Sequence, residues 1–324
     1  MSIKFPLKQS LCTEKAAAEA KDNSMKIYND KHYDAECIVM EKSNIRLKIL
    51  PQIGFKISSL TYKDKELLFQ PVDLKYKQPV YMDSFSSYDT SGMDEMLPTI
   101  DSCIDEYGQL LPDHGDVWSL PWYIEISDDR SFITGRVILR SMPLAFEKKI
   151  AMIVDNLIRM DYTVKNLSMK EQYFLWALHG LNNYDDDTYI ILPDGVKRVL
   201  DVINNEIIED NLDNLKDLSK YEDGKAYKFY AADELSSGIC GLYYKNLGLE
   251  YLIKFDKNII PYLGVWITKG GLKGEYNCAL EPSNGFYDSQ AAARERGKCE
   301  KVMPLEEKSW TVYIEIRETR RNSL

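Results

Sequence analysis

From about residue 30 to residue 319 the chain repeats one local pattern. Apolar and polar residues alternate along a short stretch rich in Ile, Val, Tyr and Phe, turn formers close it, and the next stretch follows roughly ten residues on. "SNIRLKILPQ", "RSFITGRVILRSM", "DTYIILP", "GICGLYYKN", "LEYLIKFD", "YLGVWITKGG", "GEYNCALEP" and "SWTVYIEIRE" all read this way. "GFKISSLTYKDKELLF" reads as two strands about a turn at Lys63-Asp64-Lys65. "FEKKIAMIVDNLIRMDYTVKNLS" reads as a hairpin turning at Asp155-Asn156. A side-chain period of two gives each strand one face to bury, so such strands stack as sheets on a shared core.

Helical pattern is confined to three places: "TEKAAAEAKDN" with Thr13 as N-cap, the acidic "IEDNLDNLKDLSKYEDG", and "SQAAARERG". The second is read as a surface insertion ending at Gly224, the third as a short helix ending at Gly297. Helices do not alternate with strands, which excludes a parallel βαβ sheet. No linker and no internal repeat divides the strands. The expected architecture is all-β: one large antiparallel β-sandwich over 31–319, with a lead-in over 1–30 and a tail over 320–324.

The composition of the 324 residues, 44% hydrophobic and 28% charged, is that of a soluble globular protein with chain enough for a large core. No apolar run is long enough to span a bilayer, and "MSIKFPLKQSLC" lacks the apolar region and cleavage site of a signal peptide. The six cysteines are scattered and form no C-x-x-C pair, which suits reduced, buried thiols in a cytoplasmic protein rather than a zinc ribbon or a disulfide scaffold. A formal net charge of −10 disfavours nucleic acid and anionic membranes as partners.

Histidine is scarce, with three in the chain, and one of them sits in "PDHGDVWSLPW" at 112–122. Pro112 and Asp113-His114-Gly115 are turn formers, so His114 is either a surface turn residue or the wall of a site. Asp113 and Asp116 flank it and are placed to fix its tautomer. Trp118 and Trp122 follow closely, and an aromatic face beside polar groups suits a sugar, whose C–H face is apolar and whose rim is hydroxyls. In "FLWALHGLNNY" an apolar strand carrying Trp176 ends in His179, which shares a face with Ala177 and Leu175. It is either a satisfied core histidine or a desolvated proton-transfer group. In "YNCALEPSNGFYDS" Glu281 ends a buried strand, and Pro282 holds it extended. It is a strand-end surface glutamate or a fixed general base. "GVWITKGGLKGEY" adds Trp266 and a glycine-rich turn that lacks the phosphate-loop pattern. Asp94 and Glu95 in "SGMDEMLPTIDSC" form a capped turn or a hydroxyl-binding wall. His32 is read as a surface residue, and Arg294 and Arg296 as a solvated helix face. Asp113, His114, Asp116 and His179 have poor spacing for a metal, and none is expected.

Taken in order, five segments resemble the galactose mutarotase (aldose 1-epimerase) family in its broad sense. They are "GFKISSL", "GMDEMLPTI" with "LPDHGDVWSLPW", "MDYTVKNLSMKEQYFLWALH", "ALEPSNGFYDS" and "LEEKSWTVYIEI". The resemblance covers nearly the whole chain from about residue 30. It implies a large antiparallel β-supersandwich and, residue by residue, His179 as general acid, Glu281 as general base and His114 as a substrate-binding histidine. Asp94 stands as the candidate for the family's hydroxyl-binding aspartate, with Trp118, Trp122, Trp176 and Trp266 as aromatic contacts. The run after His179 is "HGLNNY", where the family carries an aromatic-rich segment. The implied reaction interconverts the α- and β-anomers of a free sugar by acid/base ring opening, with neither metal nor cofactor. The expected partner is a small carbohydrate, on a monomer or homodimer. The other reading is a non-catalytic carbohydrate-binding protein on the same scaffold.

Overall fold

Two antiparallel sheets lie at the heart of the molecule, a computed structural model that describes residues 24–210 and 212–319. The larger sheet has 12 strands. Its order is Lys26–His32, Ala35–Lys42, Ile45–Leu50, Lys56–Tyr62, Met93–Met96, Ala177–Asn182, Tyr276–Ser283, Tyr262–Lys269, Lys225–Ala231, Val199–Asp201 and Glu206–Ile208, with the short Lys65–Glu66 beside Lys56–Tyr62. The smaller sheet has 8 strands, in the order Thr188–Ile191, Ile239–Tyr244, Leu249–Phe255, Glu307–Glu318, Leu157–Asn166, Leu144–Val154, Phe132–Ile138 and Tyr123–Ile126. This is the antiparallel sandwich that the alternation predicts. The strands Leu144–Val154 and Leu157–Asn166 turn at Asp155-Asn156 as expected.

The period of two decides which side chain goes where. From the larger sheet Ile57, Met93, Leu178, Leu280, Cys278, Val265, Ile267 and Phe229 enter the core between the sheets, where Phe146, Tyr162, Ile253 and Ile314 of the smaller sheet meet them. The intervening residues, among them Lys56, Asp94, His179, Glu281, Gly264, Trp266, Lys228 and Tyr230, belong to the opposite face.

The structure corrects several local expectations. The first strand starts at Lys26, inside the segment read as a lead-in. The helix expected over 13–23 and the tail at 320–324 lie outside the described residues. The acidic insertion forms a strand at Glu206–Ile208, a single helical turn at Leu212–Lys216 and a 3-10 turn at Leu218–Lys220; Asp217, extended and accepting from the Ser219 N–H, separates the two turns. The strand expected through "EQYFLWALHG" breaks: Gln172–Phe174 pairs with Glu300–Val302, and Ala177–Asn182 joins the larger sheet. His32 is not a surface residue. It is 6% exposed, and its Nδ1 lies 2.9 Å from Ser58 Oγ and 3.2 Å from Tyr76 OH. The described cysteines are all free, and no helix among the described residues is long and apolar enough to cross a membrane.

Candidate active site

Strand register brings the candidate acid and base together. Ala177 lies opposite Ser283 and Leu181 opposite Ala279, which sets His179 opposite Glu281. The same row runs on to Asp94 on one side and to Gly264 and Tyr230 on the other. His179 Nε2 is 3.9 Å from Glu281 Oε1, and both side chains are buried. Gly264 leaves room for the carboxylate, since a Cβ there would stand 3.0 Å from Glu281 Oε2 and 3.2 Å from the Tyr230 ring.

His179 and Glu281 line a cavity of about 330 Å³, together with Phe85, Thr90, Met96, Asp101, Asp113, His114, Lys228, Trp266, Glu275, Asn277 and Asp288. The turn that carries His114 is held in the left-handed region, with φ +58 at His114 and +71 at Gly115. Glycine is required at 115, because a Cβ would approach Leu97 O to 2.0 Å. Phe85 stacks flat on His114, with centroids 4.3 Å apart, and meets His179 edge-on at 5.3 Å. The two imidazoles are themselves 5.3 Å apart.

Asp113 fixes the His114 ring. Its Oδ1 lies 2.8 Å from Nδ1, and its Oδ2 accepts from the Phe85 N–H and the Ser84 hydroxyl. In the neutral tautomer Nδ1–H donates to Asp113, which makes Nε2 an acceptor. Burial raises the Asp113 carboxyl, but the bond to His114, that ring's charge and the Phe85 N–H outweigh it and bring the group down to about 2. Burial pushes His179 well below its ordinary 6.5, aided by the nearby His114 and Lys228, and it raises Glu281 against the pull of Lys228. His179 Nδ1 and Glu281 Oε2 have no hydrogen-bond partner among the described residues, although both are buried. The arrangement is a buried acid/base pair in a cavity with room for a monosaccharide-sized ligand.

Other residues singled out in the sequence lie elsewhere. Asp94 shares the His179 face, but it is 1% exposed and pairs at 3.1 Å with Lys56, which also binds Asp89. Burial raises its carboxyl to about 6 even with Lys56 beside it. It sits beneath the cavity wall instead of forming it. Asp116 does not touch His114; it accepts from Ser141 and from the Arg140 N–H, anchoring a neighbouring loop. Trp118 backs the site without lining the cavity, giving its indole N–H to Asp113 O and packing edge-on against Phe85. Trp122 is a core residue between Phe55 and Phe146, with its N–H on Val117 O. Trp176 is wholly buried against Tyr162 and Trp310, and its N–H reaches Glu95, which also pairs with Lys148 at 2.7 Å. All three tryptophans point into packed interior, so Trp266 is left as the tryptophan of the cavity wall. Arg294 leans on Glu106 at 2.8 Å and is only partly solvated.

Sequence reasoning missed Phe85, Asp101, Lys228, Glu275, Asn277 and Asp288. Alternation in "KAYKFYA" puts Lys228 on one face with Tyr230, a cation on a buried face, and this is the signal that could have found it.

With this geometry in view, the comparisons with known proteins concern the fold. Residues 208–316 match the family described as Domain of unknown function (DUF4432), a stretch that includes Lys228 and Glu281. No curated protein matches the chain. Among solved structures the chain resembles the Slr1438 protein of Synechocystis sp. PCC 6803, with a TM-score of 0.72 at 14% identity over 90% of this chain and 99% of that one. A galactose mutarotase-like protein from Clostridium acetobutylicum superposes with a TM-score of 0.66 at 14% identity, over 91% and 99%. A candidate aldose 1-epimerase from Escherichia coli K12 gives 0.65 at 13% identity, over 91% and 100%. The architecture is the sandwich of the galactose mutarotase-like proteins. At these identities the likeness concerns the fold alone.

Proposed function

We propose that the protein is a cytoplasmic aldose 1-epimerase acting on a free sugar. The observation that carries this reading is the opposed pair, with His179 Nε2 and Glu281 Oε1 3.9 Å apart on a cavity wall. The ring oxygen and the C1 hydroxyl of a pyranose are both bonded to C1, so one such pair can serve both. Glu281 takes the proton from the C1 hydroxyl while His179 protonates the ring oxygen. The C1–O bond to the ring oxygen breaks, the open chain rotates about C1–C2, and closure on the other face returns both protons. His114, oriented by Asp113, accepts from a neighbouring sugar hydroxyl, and Trp266 offers an apolar wall.

The reaction requires the pair to hold one proton in all. Burial lowers His179 and raises Glu281, which by itself favours the uncharged arrangement of that proton; the form with imidazolium and carboxylate is the other arrangement. A bound hydroxyl beside Glu281 and a ring oxygen beside His179 favour the charged arrangement. The test is the rate of anomer exchange in His179→Asn and Glu281→Gln. A mutarotase loses about 10²-fold or more in each while still binding sugar. A carbohydrate-binding protein has no rate to lose.

A further inference from the structure

The mechanism gives no task to Lys228, a cation on the cavity wall. Lys228 lies on the strand Lys225–Ala231, two strands from Glu281, and its side chain is 17% exposed at the cavity wall. Its Nζ is 2.7 Å from Asp288 Oδ1 and 3.9 Å from Glu281 Oε2. Asp288 is held in turn, accepting from the Tyr230 hydroxyl at 2.7 Å. Glu281 Oε2 is the oxygen that has no hydrogen-bond partner among the described residues, and the ammonium lies within ion-pair reach of it.

We infer that Lys228 is a positioning residue: its ammonium holds the Glu281 carboxylate in place and in its ionised form. The inference rests on the mutarotase reading only in that Glu281 is taken as the base. A carboxyl so deeply buried would otherwise keep its proton and could not accept one from a sugar hydroxyl. The other groups facing Glu281 do not replace Lys228. His179 faces it from the adjacent strand and His114 from the turn at 112–115. Asp101 and Asp288 are carboxylates that oppose its ionisation, Tyr230 is a neutral phenol, and Gly264 has no side chain. Lys228 does not act as a nucleophile, because the ammonium form is favoured by two carboxylates at once.

The experiment follows the Glu281 carboxyl by ¹³C NMR in glutamate-labelled protein, with the resonance assigned by its loss in Glu281→Gln. The kcat/KM–pH profile is recorded beside it. Lys228→Met should move the carboxyl titration, and with it the acid limb of the profile, up by about one to three pH units. Lys228→Arg should restore both. Asp288→Asn should move both down, since it removes an opposing carboxylate and frees the ammonium for Glu281. A carboxyl titration unchanged in Lys228→Met overturns the inference. If that variant does not fold, a titration that stays put or rises in Asp288→Asn overturns it equally. The carboxyl readout needs no sugar. Failure of wild-type protein to accelerate any anomer exchange would sink the mutarotase reading, and the carboxyl titration would still decide the role of Lys228.

Discussion

His179 and Glu281 sit opposite each other on neighbouring antiparallel strands, with 3.9 Å between Nε2 and Oε1 and no other strand between them. Two groups so close titrate as one unit. Burial lowers the imidazole and raises the carboxyl, so over a window of pH the pair holds a single proton. The expected kcat/KM profile is bell-shaped. It falls in acid as a second proton binds the pair and falls in alkali as the shared proton leaves. Glu281→Gln should abolish the acid limb along with most of the rate. A profile flat from pH 4 to 9 would contradict a shared-proton pair.

Gly264 faces Glu281 from the strand Tyr262–Lys269, and a Cβ there would press on Oε2 at 3.0 Å. Gly264→Ala should displace the carboxylate by a few tenths of an ångström. The expected result is a fall in kcat of about tenfold or more, with a much smaller change in KM, because misplacement of a reacting group affects the transition state most. Steady-state kinetics checks this. Equal changes in the two constants would show that the alanine disturbs binding instead.

Asp113 holds His114 and the Phe85 loop, and its carboxyl titrates at about 2 against an ordinary 3.8. A depressed carboxyl contributes stability that is fully present above the unfolded value and is lost as pH falls through the folded one. The destabilisation by Asp113→Asn, relative to wild type, should therefore be full above about pH 5 and shrink between about pH 4 and 2. Urea denaturation at a series of pH values measures it. A difference independent of pH would mean that the hydrogen bonds, and not the charge, carry the effect.

Glu95 and Lys148 form a buried pair at 2.7 Å between the two sheets, each side chain 1% exposed. Glu95 also accepts from the Tyr162 hydroxyl and the Trp176 N–H. Lys148→Met leaves a carboxylate in the core and should cost about 3–5 kcal/mol in denaturant unfolding. Glu95→Gln in the same chain should recover part of that loss. If the double variant is as unstable as the sum of both single changes, the two charges do not act as a pair.

The alternation in the sequence made the two sheets legible, because period two is a local property of each strand. It also made His179 and Glu281 legible as residues of buried strands, although the structure places them within Ala177–Asn182 and Tyr276–Ser283 and not at the strand ends. What it could not show was which buried polar face the cavity opens on. Asp94 and Glu95 are adjacent and point to opposite faces, one to Lys56 and the other to Lys148, yet their sequence context is the same. The tryptophans misled for a related reason. Trp118, Trp122 and Trp176 each find a hydrogen-bond acceptor inside the fold, two on backbone carbonyls and one on a carboxylate, and the sequence does not reveal that their polar edge is already satisfied. Lys228 and Asp288 stand 60 residues apart in sequence and meet only through strand pairing and the loop after Tyr276–Ser283, so alternation can mark Lys228 but no local pattern announces its pairing with Asp288.

The central claim, that the opposed pair moves protons on a sugar, is tested most directly by NMR exchange between α- and β-anomer signals across a panel of aldoses and sugar phosphates. Wild type, His179→Asn and Glu281→Gln are compared under the same conditions. The account predicts rapid exchange of an unphosphorylated sugar by wild type and a loss of about 10²-fold or more in each variant, with sugar binding retained. Exchange no faster than the uncatalysed rate for every sugar, alongside saturable ligand-induced shifts, would contradict it and leave His179 and Glu281 as contacts of a binding protein.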